Sequence, residues 1–73
     1  MMTLLSPNDR DALRAAMRRL EELTLVRTLG DEEVAASVVP VRRPWAVAVA
    51  VQVRYRKGRV EWVQTFESVE AIP

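Results

Sequence analysis

The chain is 73 residues long, carries a net charge of +1, and contains neither cysteine nor histidine. One domain is all this length allows, near the lower limit for folding without a staple. Disulfides, thiolate metal sites and imidazole bases are excluded outright, which leaves association with another chain as the commonest remaining support. Cysteine-free composition and a start that lacks a basic secretory segment lead to a cytoplasmic expectation. The longest apolar run, residues 45–51, falls far short of the ~20 residues that cross a bilayer, so no membrane contact is expected. Among the basic residues only Lys57 is a lysine. With abundant alanine and valine, that bias suggests GC-rich coding, bacterial or phage.

The first predicted element is an amphipathic helix over 7–24. Ser6 is a good N-cap, Pro7 suits the first helical position, and Asp9 stands where a capping-box acid belongs. Leu13, Ala16, Met17, Leu20 and Leu23 then recur at the spacing of one buried stripe. Residues 25–29 read as a possible short strand, and Gly30-Asp31 as a turn. Residues 34–41 are rich in β-branched side chains and predict a second strand, which Pro40 confines to a sheet edge or terminates. Asp31, Glu32 and Glu33 could alternatively open a helical turn. As a metal cluster they lack further ligands, so solvation or capping is the better reading.

The clearest signal is a long antiparallel hairpin, strands 45–56 and 59–67, turning at Lys57-Gly58. Trp45, Val47, Val49, Val51, Val53 and Tyr55 alternate with Ala46, Ala48, Ala50, Gln52 and Arg54, the period of a strand. A two-residue turn there pairs Tyr55 with Val60, Arg54 with Glu61, Val53 with Trp62 and Val49 with Phe66. The predicted fold is α+β: one N-terminal amphipathic helix packed on a three- or four-stranded antiparallel meander ending in a long hairpin.

Two contact surfaces follow. An eighteen-residue helix covers about 27 Å, whereas strand 45–56 extends about 40 Å. Unless the hairpin coils over the core, its far end projects with Val53, Tyr55, Val60 and Trp62 as apolar anchors. Residues 42–59 hold six cations and no acid. Arg54, Arg56, Lys57 and Arg59 therefore gather at that tip, with Glu61 placed to neutralise Arg54. Core packing is the first expectation for both Trp45 and Trp62. The second surface is the alanine face of Ala46, Ala48 and Ala50, suited to close approach of another chain and hence to self-association.

Catalysis is not expected, and neither is a cofactor. No imidazole or thiol base exists, no glycine-rich phosphate loop appears, and a chain this short rarely encloses a pocket. The functional expectation is a small non-enzymatic interaction module, a regulator, inhibitor or adaptor. It would bind a larger protein with an acidic surface through Arg54, Tyr55, Arg56, Lys57, Arg59, Val60 and Trp62. A nucleic-acid-binding ribbon using the same cations and a self-associating subunit are the alternatives.

Overall fold

The computed structural model describes residues 4–73. A helix α1 (Pro7–Arg19) is followed by four strands, β1 (Leu23–Leu29), β2 (Glu32–Arg43), β3 (Ala46–Lys57) and β4 (Val60–Phe66), and a short 3-10 segment, Val69–Ala71. The strands form one antiparallel sheet in the order β1-β2-β3-β4, a meander with α1 on one face. The predicted α+β class and helix-on-meander architecture are those observed.

The helix begins as its sequence dictates. Ser6 Oγ accepts from the Asp9 N–H at 3.0 Å, and the Asp9 carboxylate accepts from the Ser6 N–H at 3.1 Å, closing the capping box. It ends earlier than the predicted residue 24. Leu20 adopts the left-handed conformation (φ 55°, ψ 38°). The Glu21 N–H then donates to the Ala16 carbonyl and the Leu20 N–H to the Met17 carbonyl, the bonding pattern of a Schellman cap. Leucine is a costly residue there, since its Cβ crowds the following carbonyl by about 1–2 kcal/mol. Leu20 thereby leaves the buried stripe, and Leu23 opens β1 instead of extending the helix.

Each connection between strands is a two-residue loop. Gly30-Asp31 joins β1 to β2, Pro44-Trp45 joins β2 to β3, and Gly58-Arg59 joins β3 to β4. Gly30 (φ 60°) and Gly58 (φ 57°) each occupy the first loop position, where a type II′ turn calls for glycine. The last hairpin therefore turns one residue later than predicted, because a Lys57-Gly58 loop would put lysine where the positive φ is needed. Tyr55 pairs with Trp62, Arg56 with Glu61, Val53 with Gln64 and Val51 with Phe66, replacing the four predicted pairs. The pairing shifts by two positions, so every side chain keeps its expected face.

The second strand runs past Pro40 to Arg43 instead of stopping near residue 41. Glu32 pairs with Leu29 across the two-residue turn, so even-numbered residues of β2 direct their backbone groups towards β1. β1 reaches only as far as Leu23 opposite Val38. Pro40 thus lies beyond the end of β1, where its missing N–H would have met solvent, and the ladder to β3 loses nothing. Residues 31–33 enter this strand and form no helical turn.

The core lies between α1 and the sheet. Leu13, Val34, Val51, Val53 and Val69 are fully buried, and Leu5, Ala16, Ala36, Val38, Tyr55, Phe66 and Ile72 complete the cluster. Complete burial of one such aliphatic side chain contributes about 1.5–3 kcal/mol, so a few residues decide whether the fold survives. Polar bonds fix α1 from both sides. Arg27, on the helix face of β1, donates to both oxygens of Asp9 at 2.8 and 3.2 Å. Arg10 donates to the carbonyls of Ile72 and Pro73, and Arg14 to Glu70.

The Arg27 guanidinium, aided by the Ser6 N–H, holds the Asp9 carboxyl below the usual carboxylate range. A lowered folded-state pKa contributes stability above the unfolded value of about 3.9, lost as pH falls through the folded value. Urea midpoints should therefore drop more steeply below about pH 4 for the parent chain than for Asp9→Asn, with no such divergence between pH 5 and 7. Glu70, held low by Arg14, adds to the acid sensitivity of both proteins alike. Leu20→Gly should raise stability by up to about 1 kcal/mol in the same assay, because the left-handed cap then carries no Cβ.

Candidate interaction surfaces

At the Gly58 end the cations are exposed, as the sequence suggests, but each of Arg54, Arg56 and Lys57 lies near an acid, and the expected aromatic anchors are packed instead of projecting. Val53 is 0% and Tyr55 5% exposed, both inside the core. Trp62 is half-buried against that core and stacks on Tyr55 with ring centroids 5.7 Å apart. Of the four predicted anchors only Val60 is exposed. Arg27, Val34, Tyr55 and Trp62 form one row across the four strands, and Asp9 grips the first of them. The N-terminal turn of α1 is thereby held over this end of the sheet, and the side chains beneath it are covered.

The cations there are also engaged. Arg54 lies 3.7 Å from Glu61, as the sequence suggests, while Arg56 lies 3.7 Å from Glu33 and Lys57 3.4 Å from Glu32. The acidic run that opens β2 therefore faces the basic run that closes β3, a correspondence set by the β2–β3 register. Arg59, in the turn, has no ion pair among the described residues. These are loose surface pairs of small energetic weight, but they cancel the local charge.

Leu29 and Val60 are exposed at this end, and a second exposed apolar region, which includes an aromatic side chain, is at the opposite end. β1 stops opposite Val38 and β4 stops opposite Val51, yet β2 and β3 continue to the Pro44-Trp45 loop. Residues 39–50 thus form a two-stranded ribbon beyond both flanking strands, and the molecule measures 42 × 24 × 18 Å. Trp45 at its tip is 81% exposed and Val47 79%. The expectation that Trp45 packs in the core fails, because the helix that would cover it sits at the other end. Alternation alone does not say which end of a strand is covered. Arg42 and Arg43 flank the loop, and Arg43 lies 3.6 Å from Glu67 just past β4.

The open face of the sheet carries the three alanines. Ala46 is exposed, Ala48 half-buried and Ala50 only 3% exposed. Val26 and Val63 are exposed on the same face, and a Thr24–Ser37 hydroxyl pair at 3.1 Å makes it partly polar. A shallow groove between α1 and the 3-10 segment, lined by Met17, Arg18, Ser68 and Val69, has the Arg14–Glu70 pair along its wall. Among the described residues no group of three acids is placed to hold a metal ion, and no helix is long and apolar enough to cross a membrane. Comparison with protein families, curated proteins and solved structures finds no match to this chain.

The two ends of the sheet should respond oppositely to aromatic truncation. Tyr55→Ala empties a core position and should cost about 3–5 kcal/mol, enough to unfold much of the population of a domain this small. Trp45→Ala should change stability by less than about 0.5 kcal/mol. Denaturant titrations of the two variants read both values directly.

Proposed function

We propose that the protein is a small non-enzymatic interaction module, a regulator, inhibitor or adaptor that acts by binding a larger protein. The ribbon of residues 39–50 is its contact element. The observation that carries this reading is the exposure of Trp45 and Val47 on a ribbon with no helix behind it. Tryptophan is strongly enriched among interface hot spots, and the β2–β3 pairing already holds the backbone that presents it, which limits the entropy lost on binding. Arg42 and Arg43 beside it favour an acidic partner surface and would speed encounter.

This places the working surface at the other end of the hairpin from Arg54, Tyr55, Arg56, Lys57, Arg59, Val60 and Trp62. The structural roles of Tyr55 and Trp62 and the paired state of three of those cations argue for the change. The same pairing favours a protein over a polyanion, since nucleic-acid binding draws its affinity from cations free to displace counterions.

Trp45→Ala should reduce capture of the native partner by at least about thirtyfold, the equivalent of a hot spot worth about 2 kcal/mol. The variant should keep the parental circular dichroism spectrum. Undiminished capture by this variant would refute the ribbon as the contact element. Recovery of nucleic acid with steep salt dependence would replace the protein reading with the ribbon-on-nucleic-acid one.

A further inference from the structure

The link between α1 and β1 sets conformation against sequence. Leu13, Ala16, Met17, Leu20 and Leu23 recur at helical spacing, and Glu21 and Glu22 are good helix formers. No glycine, asparagine or proline stands in residues 19–24 to stop a helix. The helix nevertheless ends at Arg19, and Leu20 takes φ 55°, ψ 38°. Among the described residues it is the one non-glycine position with positive φ. Leu20 is 53% exposed, so burial does not offset the crowding of its Cβ.

The reversal at Leu20 brings α1 back over its own sheet. Asp9 in the first turn of α1 bonds Arg27 near the end of β1, while only Leu20, Glu21 and Glu22 separate Arg19 from Leu23. The two elements therefore run antiparallel, with the strained residue in the hinge between them. What holds α1 in place lies wholly on the far side of that hinge. Asp9 meets Arg27, Arg10 meets the carbonyls of Ile72 and Pro73, and Arg14 meets Glu70. Leu13 and Ala16 enter a core made by the sheet and the last residues of the chain. A second copy offers all these partners in the same geometry, so the seat has a defined alternative occupant.

We propose that α1 exchanges between two copies of the chain. Leu20 leaves the left-handed region, the hinge opens, and the α1 of each copy docks on the sheet of the other. Every bond from α1 to the sheet and the C-terminal residues re-forms across the copies. The contacts given up are the two cap bonds from the Leu20 and Glu21 N–H groups, which continued helical bonding through residues 20–22 replaces. Two strained leucines are relieved in each dimer, and a short hinge under strain favours exchange of this kind. The entropy of association opposes it, so the dimer belongs to high concentration. Exchange is slow, because the Arg10, Arg14 and Asp9 bonds must open before α1 can leave. It does not depend on the ribbon of residues 39–50 or on a larger partner.

The full chain refolded from urea at about 1 mM should yield a dimer separable by size-exclusion chromatography, whereas refolding at about 10 μM should yield monomer. Leu20→Ala keeps a Cβ at the cap and should still dimerise. Leu20→Gly removes the strain from both hinges, so its dimer should dissociate with a constant at least about thirtyfold higher, about fivefold or more for each hinge. Exchange of charge identifies the swap itself. Asp9→Arg and Arg27→Asp each set like charges between α1 and its own sheet. Refolded together, the two variants should form a heterodimer in which the Asp9→Arg helix meets the Arg27→Asp sheet and the unaltered Asp9 meets the unaltered Arg27. Native mass spectrometry should find that heterodimer well above its statistical share. A parent chain monomeric at both concentrations, a Leu20→Gly dimer of parental strength, or a mixture with no excess of heterodimer would each overturn the proposal.

Discussion

The bond between Asp9 and Arg27 decides which part of the sheet is inside. Asp9 lies in the first turn of α1 and Arg27 near the end of β1, so their pairing brings the helix start to the end of the sheet that bears the two glycine turns. Thirteen residues of helix, about 20 Å, then reach back along the sheet and no further. The 3-10 segment adds Val69 beneath the helix, Ile72 follows just after it, and Leu5 adds one more apolar side chain. Everything past Val49 lies beyond this cover. The exposed ribbon is the remainder of a sheet longer than the layer that packs on it.

The same residue serves three constraints at once. The Asp9 carboxylate completes the capping box, accepts two bonds from Arg27, and is largely withdrawn from water. Withdrawing a carboxylate is tolerable because the guanidinium and a backbone N–H replace its hydration. A lone carboxylate at that position would oppose folding. The arrangement uses a charge pair to fix orientation, and leaves hydrophobic burial to supply most of the stabilisation.

Much of the fold was legible in the residues. Alternation through β3 fixed its two faces, Ser6, Pro7 and Asp9 marked the helix start, and the glycines marked two of the three turns. The faces survived even an error in register, since the observed pairing differs by two and side-chain direction repeats every two residues. The surfaces were harder to read. Length comparison showed that the helix could not cover the whole hairpin, but nothing local to α1 says which end it occupies. That depends on Arg27, an arginine on a short strand whose partner lies eighteen residues earlier. Leu20 was unreadable for a related reason: it fits the apolar stripe, and only its conformation removes it. The pairing of Glu32 and Glu33 with Lys57 and Arg56 likewise required the β2–β3 register.

The meander also has a consequence for the order in which the chain assembles. Every strand pairs with its immediate neighbour in sequence, through loops of two residues, so the sheet can grow by local zippering with little loop-closure cost. The contacts that join the two ends of the chain are of another kind. Arg10 reaches Ile72 and Pro73 across more than sixty residues, and Arg14 reaches Glu70 across fifty-six. These closures can form only once the strands between them are in place. Folding of this molecule should therefore finish at its termini, with the helix and the last few residues locking together over a sheet already formed.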